Sequence, residues 1–162
     1  MNLYQKIQWM VTSSSVPPEM GESPIPEGRM RRYHVTNTSN VPSIMKHGLR
    51  LQDAKAYEGP KGIYSHTKPK DAKNYGHSYE QGHKSIIEFH DDPDHYRHSP
   101  TYSKVDVPPE NIVATHHRWH DTYRYIKEEK MPMSHVEEVA NANKDDENVT
   151  KAHEQLKAEG YK

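Results

Sequence analysis

The sequence has no cysteine, one phenylalanine and two tryptophans among its 162 residues. Without cysteine, disulfides, thiolate catalysis and cysteine-based zinc sites are excluded. Hydrophobic residues make up only 31% of the chain, so a core can form only where they are concentrated. No apolar run approaches the ~18 residues of a membrane span, and no apolar segment of the kind found in signal peptides follows the N-terminus. We therefore expect a cytoplasmic, intracellular protein with no membrane partner.

Histidine and tyrosine, by contrast, are abundant, with 13 and 11 copies. Tyrosine gives nearly all the aromatic surface a polar hydroxyl. The histidines suggest a metal site as one hypothesis, because imidazole is a common metal ligand. The candidates are His90, His95, His98, His116, His117 and His120. The alternative is that these side chains are solvated or lie at a pocket edge, since no tight ligand motif is present, and we assign no metal ligand.

Three regions of different composition divide the chain. The first, residues 1–28, predicts a short helix at 2–11 followed by a Pro- and Ser-rich arm at 12–28. Most apolar residues fall in the second region, 29–128, which is the predicted domain. The third, 129–162, is polar and weakly amphipathic, and it predicts two helices in a solvated or loosely docked tail.

The central region alternates extended segments with short helices, which predicts an α+β fold. The predicted strands are 30–35, 62–65, 85–89, 102–107 and 112–117, with a last one at 123–126. One helix should follow Asn40 and stop at Gly48, and a second should follow Thr67 and stop at Gly76.

Two segments of this region carry a pattern with chemical meaning. They contain Tyr33-His34, Gly48-Leu49-Arg50, Gly62-Ile63-Tyr64 and Asn74-Tyr75. A histidine between two tyrosine rings can hold a flat heteroaromatic ring, and neighbouring backbone groups can pair with a carboxamide. An arginine nearby can reach a phosphate. Nicotinamide is flat and carries a carboxamide, and NAD carries a pyrophosphate.

In order and spacing, these segments resemble the ADP-ribosyltransferase superfamily in its diphtheria-toxin and poly(ADP-ribose) polymerase branch. The resemblance runs from Tyr33 to Tyr75. It implies an ADP-ribosyltransferase-like fold, with split antiparallel sheets around an NAD cleft and a helical C-terminal tail. It also implies an enzyme that uses NAD as substrate, releases nicotinamide and transfers one ADP-ribosyl group to a macromolecular acceptor, either protein or nucleic acid.

The resemblance further implies roles for individual residues. His34 would bond the NAD ribose, and the backbone of Val35 would pair with the nicotinamide carboxamide. Tyr75 would stack on the nicotinamide ring, while Tyr64 would close its other side. Arg50 would lie near the adenosine and phosphate end. The enzyme's contribution would then be positioning and electrostatic stabilisation of an oxocarbenium-like state.

The sequence departs from the family pattern in three places, the first of which spans two residues. Val35-Thr36 replaces Gly-Ser, so Thr36 retains the hydroxyl while valine adds bulk. Ala72 falls where the family has a serine. The third catalytic residue of the family is a glutamate that opens a later strand, and here Thr101 is the nearest substitute by register, with Ser103 next.

No glutamate fits the third catalytic position, since Glu88 lies on an earlier strand and Glu110 lies past the expected strand. This departure favours a mono-transferase over chain elongation. It also motivates an alternative, a catalytically silent module of the same fold that binds NAD, ADP-ribose or a partner. A His-rich metal-binding protein is a third interpretation. The acid-free stretch 29–50 is basic, and together with Tyr33 it is compatible with a nucleic-acid acceptor, although a protein acceptor fits as well.

Overall fold

The computed structural model describes residues 16–54, 59–78 and 84–162. The helix expected at 2–11 lies outside these residues. The described chain forms two compact units, 17–116 and 117–162, and the second also includes Val16. These units divide at a different point from the predicted domain span of 29–128, which stays a prediction.

The first unit is a mixed α+β structure built on two small sheets. The larger sheet has the strand order β1-β3-β5, and the smaller one pairs β2 with β4. The pairs β1–β3 and β2–β4 are both antiparallel. The strands are β1 Met30–Asn37, β2 Ile63–Tyr64, β3 Lys84–Asp91, β4 Tyr102–Ser103 and β5 Ile112–His117. Two helices accompany them, α1 Val41–His47 and α2 Pro69–Ser78. The predicted α+β class is thereby confirmed.

Strand β3 is the middle strand of the larger sheet and is buried from Ser85 to Phe89. Because successive side chains point to opposite faces, the strand serves two apolar clusters. On one face Ile86 packs with Tyr33 and Ala72. On the other face, Ile87 and Phe89 belong to the main core. The remaining members of that core are Val41, Met45, Leu49, Ile63, Val107 and Ile112.

Helix α1 ends at Gly48, as the sequence predicts. Gly48 has φ 78°, and its N–H donates to the Ile44 carbonyl at 2.7 Å. A Cβ atom at this position would lie 2.0 Å from the Val107 carbonyl oxygen, so only glycine fits. The next residue, Leu49, forms a β-bridge with Val107. The glycine thus lets the chain pass directly from the helix into a backbone pairing.

Two predicted boundaries within this unit were wrong. The strand expected at 102–107 stops at Ser103, because the Ser103 hydroxyl accepts the Val105 N–H at 3.0 Å and turns the chain. Val107 then pairs with Leu49 instead of extending β4. Helix α2 continues through Gly76 and ends at Ser78.

The second unit consists of α3 Arg118–Glu128, α4 Met133–Ala142 and α5 Glu147–Ala158. The strand expected at 123–126 was wrong, since these residues lie inside α3. Their spacing from Trp119 is helical, and the helix buries one face. The cluster on that face contains Trp119, Tyr123, Ile126, Val136, Ala152 and Leu156.

The two helices predicted for the C-terminal tail are confirmed, but the expectation of loose docking was wrong. Ala152 and Leu156 on α5 are fully buried against the α3 cluster. Among the described residues, no helix is both long and apolar enough to cross a bilayer.

Candidate functional site

His34 and Tyr64 come together through a hydrogen bond between β1 and β2. The His34 Nδ1–H donates to the Tyr64 carbonyl oxygen at 2.6 Å. Because a carbonyl oxygen can only accept, the proton lies on Nδ1 and the neutral ring keeps a lone pair on Nε2. Burial lowers the pKa of His34. The bond to the Tyr64 carbonyl raises it but does not offset the burial, and the charge of His66 lowers the pKa further. His34 is therefore neutral at pH 7 and offers one acceptor nitrogen, which suits a sugar hydroxyl.

The extended segment from Ile63 to His66 alternates between the core and an open face. Ile63 and Ser65 are buried, Tyr64 is 39% exposed, and His66 is half-buried. Alternate side chains of an extended segment share a face, so Tyr64 and His66 lie on the same side.

The Tyr64 side chain is held at both its ring and its hydroxyl. The ring lies 5.1 Å from the ring of Tyr102, centroid to centroid, and the hydroxyl donates to the Pro60 carbonyl at 2.6 Å. These two contacts fix the orientation of a tyrosine that keeps more than a third of its surface open.

Arg32 anchors the segment from its buried side. Its Nε donates to the Ser65 hydroxyl at 2.7 Å, and its Nη2 donates to the Ser65 carbonyl at 3.0 Å and to the Pro100 carbonyl at 2.7 Å. The guanidinium also lies 4.0 Å from the centre of the Tyr96 ring. Ser65 follows Tyr64 in the sequence, and Pro100 precedes Thr101. The buried Arg32 guanidinium therefore holds both of these neighbouring segments in place.

Thr101 lies beside the segment that carries Tyr64. Its carbonyl accepts the Ser65 N–H at 3.0 Å, and its hydroxyl lies 2.9 Å from the Ser99 hydroxyl. Thr101 is exposed, whereas Ser103 is buried and its hydroxyl is committed to Val105. Of the two hydroxyl candidates for the third catalytic position, Thr101 is therefore the accessible one.

Helix α2 brings Tyr75 to His66. The two ring centroids are 5.3 Å apart with the planes tilted by 51°, and Tyr75 is 41% exposed. Sequence reasoning did not single out His66, although its position two residues after Tyr64 on an extended segment was a usable signal. Burial lowers the pKa of His66; the charge of Asp71 opposes this shift and the charge of Arg32 adds to it.

The direction of the Val35 backbone follows from a bridge between Tyr33 and His66. Tyr33 N–H donates to the His66 carbonyl at 2.9 Å, and His66 N–H donates back at 2.8 Å. In an antiparallel ladder, alternate residues turn both backbone groups to the same edge. Val35 therefore turns its N–H and C=O to this edge too, away from β3. They form a donor–acceptor pair that matches a carboxamide.

Thr36 and Arg50 make local contacts. The Thr36 hydroxyl accepts from Asn40 Nδ2 at 3.1 Å, and the Arg50 Nε donates to Asp53 Oδ2 at 2.9 Å. The observed contacts of Arg50 do not join it to His34 or Tyr64. Its predicted position near the adenosine and phosphate end stays a prediction.

Glu88 is engaged elsewhere in the fold. It is fully buried and accepts hydrogen bonds from His116 Nε2 at 2.8 Å, from the Gly21 N–H at 3.2 Å and from Arg31. Burial alone raises the pKa of Glu88, but the bonds from His116, Gly21 and Arg31 and the charge of His116 outweigh it, so the pKa is lowered. Glu88 is a charged structural group of the larger sheet.

No carboxylate hydrogen-bonds the side chain of His34 or Tyr64 within the described ranges. Glu110 is exposed in the turn that precedes β5. Thr101 is therefore the exposed candidate for the third catalytic position, and that role stays a prediction.

The basic stretch 29–50 does not form an open aromatic and cationic face. Tyr33 is only 1% exposed and has no ring face on which a base could stack, so that part of the expectation was wrong. Four of the cations are bonded within the unit. The pairs are Arg29 with His90, Arg31 with Glu88, Arg32 with Ser65 and Arg50 with Asp53.

The histidine-rich segments do not converge on a metal site in the part of the chain that is described. There, no group of three or more His, Asp or Glu side chains is placed to hold an ion. His116 lies in β5 and bonds Glu88, while His120 lies in α3 and accepts the His117 N–H at 2.9 Å. The chain changes from strand to helix between these two histidines.

The site thus combines an acceptor nitrogen on His34, a backbone donor–acceptor pair on Val35, and the exposed rings of Tyr64 and Tyr75. Such groups can bind a flat ring that carries a carboxamide, together with a sugar hydroxyl. Comparisons of the chain with protein-family models and with curated proteins give no match.

Proposed function

We propose that the first unit is an ADP-ribosyltransferase-like domain whose two sheets flank an NAD cleft. It transfers a single ADP-ribosyl group from NAD to a macromolecular acceptor. The observation that carries the proposal is the bond from His34 to the Tyr64 carbonyl, beside the outward-facing backbone groups of Val35. This arrangement supports the proposal, because a ribose hydroxyl needs an acceptor and a carboxamide needs a donor–acceptor pair.

The chemistry follows from what these groups can hold. Val35 N–H donates to the carboxamide oxygen, and its C=O accepts from the carboxamide nitrogen. Tyr64 and Tyr75 contact the nicotinamide ring, and His34 Nε2 accepts a ribose hydroxyl. The glycosidic C–N bond breaks with its electron pair going to nicotinamide, and the acceptor nucleophile bonds the ribose carbon and loses its proton. Catalysis is by positioning and by stabilisation of the developing charge.

A second candidate is a catalytically silent module of the same fold that binds NAD, ADP-ribose or a partner. The observation that favours it is that neither His34 nor Tyr64 bonds a carboxylate among the described side chains. A neutral hydroxyl on Thr101 polarises a ribose hydroxyl less than a carboxylate does. The metal-binding alternative has no comparable support in the described ranges.

The test is to incubate the full chain with NAD and quantify free nicotinamide. We expect His34→Ala and Tyr75→Ala each to reduce release by about tenfold or more, since each removes a positioning contact. Matched controls are His98→Ala and Tyr125→Ala, because both side chains are exposed outside the site.

Equal release by wild type, site variants and controls would contradict the site. NAD binding that depends on His34 and Tyr75, without release or transfer, would favour the silent module instead.

A further inference from the structure

We infer that His66 is a further nicotinamide-contacting residue, and that the site requires its ring to be uncharged. The inference rests on the proposed function and deepens it. It assigns to one side chain the discrimination between the cationic ring of NAD and the neutral ring of NADH.

The placement of His66 is fixed from three sides. Its backbone pairs with Tyr33 at 2.8 and 2.9 Å, and its side chain shares the open face of Tyr64. Its ring lies 5.3 Å from the ring of Tyr75. His66 therefore lies beside Tyr75 and on the same face as Tyr64, the two tyrosines proposed to contact nicotinamide.

The charge of His66 matters because of what Tyr75 can bind. The nicotinamide ring of oxidised NAD carries a positive charge, and the face of a tyrosine ring attracts cations. A protonated His66 would place a competing cation beside the same ring and repel the nicotinamide. A neutral His66 removes this repulsion and adds a flat surface.

The groups around His66 favour the neutral form at pH 7. Burial lowers its pKa, the Asp71 carboxylate acts in the opposite direction, and the buried Arg32 guanidinium lowers the pKa again. The charge of His66 in turn lowers the pKa of His34, so each imidazole disfavours protonation of the other. Protonation of His66 therefore occurs below its ordinary pKa of 6.5.

The experiment measures dissociation constants of NAD and NADH for the full chain from pH 5.5 to 7.5. For the wild type we expect the affinity for NAD, relative to NADH, to fall about three- to fivefold at the acid end. Protonation of His34 removes an acceptor for the ribose hydroxyl that both dinucleotides share, and any effect of its charge on the ratio remains in a variant that lacks His66. His66→Phe keeps a ring without a titratable group, so its ratio should fall less at acid pH than that of the wild type.

His98→Phe is the matched control, and it should keep the wild-type profile because His98 is exposed. His66→Gln provides a second uncharged variant if the His66→Phe protein does not fold. A wild-type ratio that is constant with pH would overturn the inference, and so would an acid fall that is as large in both His66 variants as in the wild type. Those results leave the proposed function intact if NAD still binds through His34, whereas the binding of neither dinucleotide at any pH would overturn both.

Discussion

Histidines serve two different purposes in the first unit. In the larger sheet, His116 is buried and donates to the carboxylate of Glu88, which also accepts from Arg31. In the site, His34 bonds a backbone carbonyl and His66 packs against a tyrosine ring. Burial separates the two cases: His116 is buried in the sheet, whereas His34 and His66 are only half-buried, so part of each imidazole stays available to a ligand.

The larger sheet around Glu88 and the candidate site around Tyr64 also differ in exposure. Glu88 is fully buried and His116 is 3% exposed, whereas Tyr64 and Tyr75 are 39% and 41% exposed. We therefore expect changes around Glu88 to affect the stability of the unit, and changes around Tyr64 to affect ligand binding. The predictions below test this division, beginning with the largest expected effect.

Replacement of Glu88 should have the largest effect on stability. Glu88→Gln leaves the Arg31 and His116 side chains without their shared carboxylate in a buried setting, which should lower the free energy of unfolding by about 3 kcal/mol. Urea unfolding at pH 7 measures the loss. The exposed Glu110→Gln is the matched control and should change stability by less than about 0.5 kcal/mol.

Wild type and Glu88→Gln also test how the stability depends on pH. The folded-state pKa of Glu88 lies below its ordinary value of 4.5, so its contribution is complete above that pH and is lost as the pH falls through the folded-state pKa. Wild type should therefore lose more stability than Glu88→Gln between neutral pH and the acid range. Parallel losses in the two proteins would show that Glu88 does not supply this dependence.

A smaller but distinct loss should follow Gly48→Ala. Both Gly48 and Gly28 have positive φ, of 78° and 79°, but only at Gly48 does an added Cβ meet backbone, 2.0 Å from the Val107 oxygen. We expect Gly28→Ala to cost about 1 kcal/mol through backbone strain, and Gly48→Ala to cost at least about 2 kcal/mol. Thermal unfolding of the two variants separates conformational strain from steric clash, and equal shifts would argue against the clash.

The smallest effect on stability is expected at Gly62, inside the site. An added Cβ would lie 2.6 Å from Cδ2 and 3.1 Å from Cγ of Tyr102, a half-buried ring that contacts Tyr64 and would have to shift. Gly62→Ala should cost less than about 1 kcal/mol in stability, yet it should weaken NAD binding severalfold by displacing the tyrosine pair. Gly28→Ala should leave NAD binding unchanged. A large stability loss with normal NAD binding in Gly62→Ala would contradict the expectation that changes around Tyr64 affect ligand binding more than stability.

Local elements were predictable wherever one residue imposed a local conformation. Pro42 favours a helix start and Gly48 supplies the positive φ of its end, so the sequence located α1. It also located β1 and β3 through their apolar residues. It misplaced residues 123–126, because the alternation of Tyr123 and Tyr125 suggests a strand, whereas the helix buries Tyr123 and Ile126 and leaves Tyr125 exposed.

The candidate site was predictable only in part. His34, Tyr64 and Tyr75 were found through a resemblance, and the structure places His34 at Tyr64, while Tyr75 joins them through His66. His66 was missed because its importance depends on a ring contact with a residue on another element. Their roles toward NAD stay predictions.

By itself, the sequence determined the chemical inventory and the local conformations: no thiols, many histidines and tyrosines, and a helix that must stop at Gly48. Only the tertiary structure decided which charged groups are partnered. Glu88 meets His116 across the larger sheet, and the bridge of Tyr33 with His66 turns the Val35 backbone outward. These outcomes depend on pairings between distant segments, and the energy of such pairings comes from burial and hydrogen-bond geometry that no local pattern specifies.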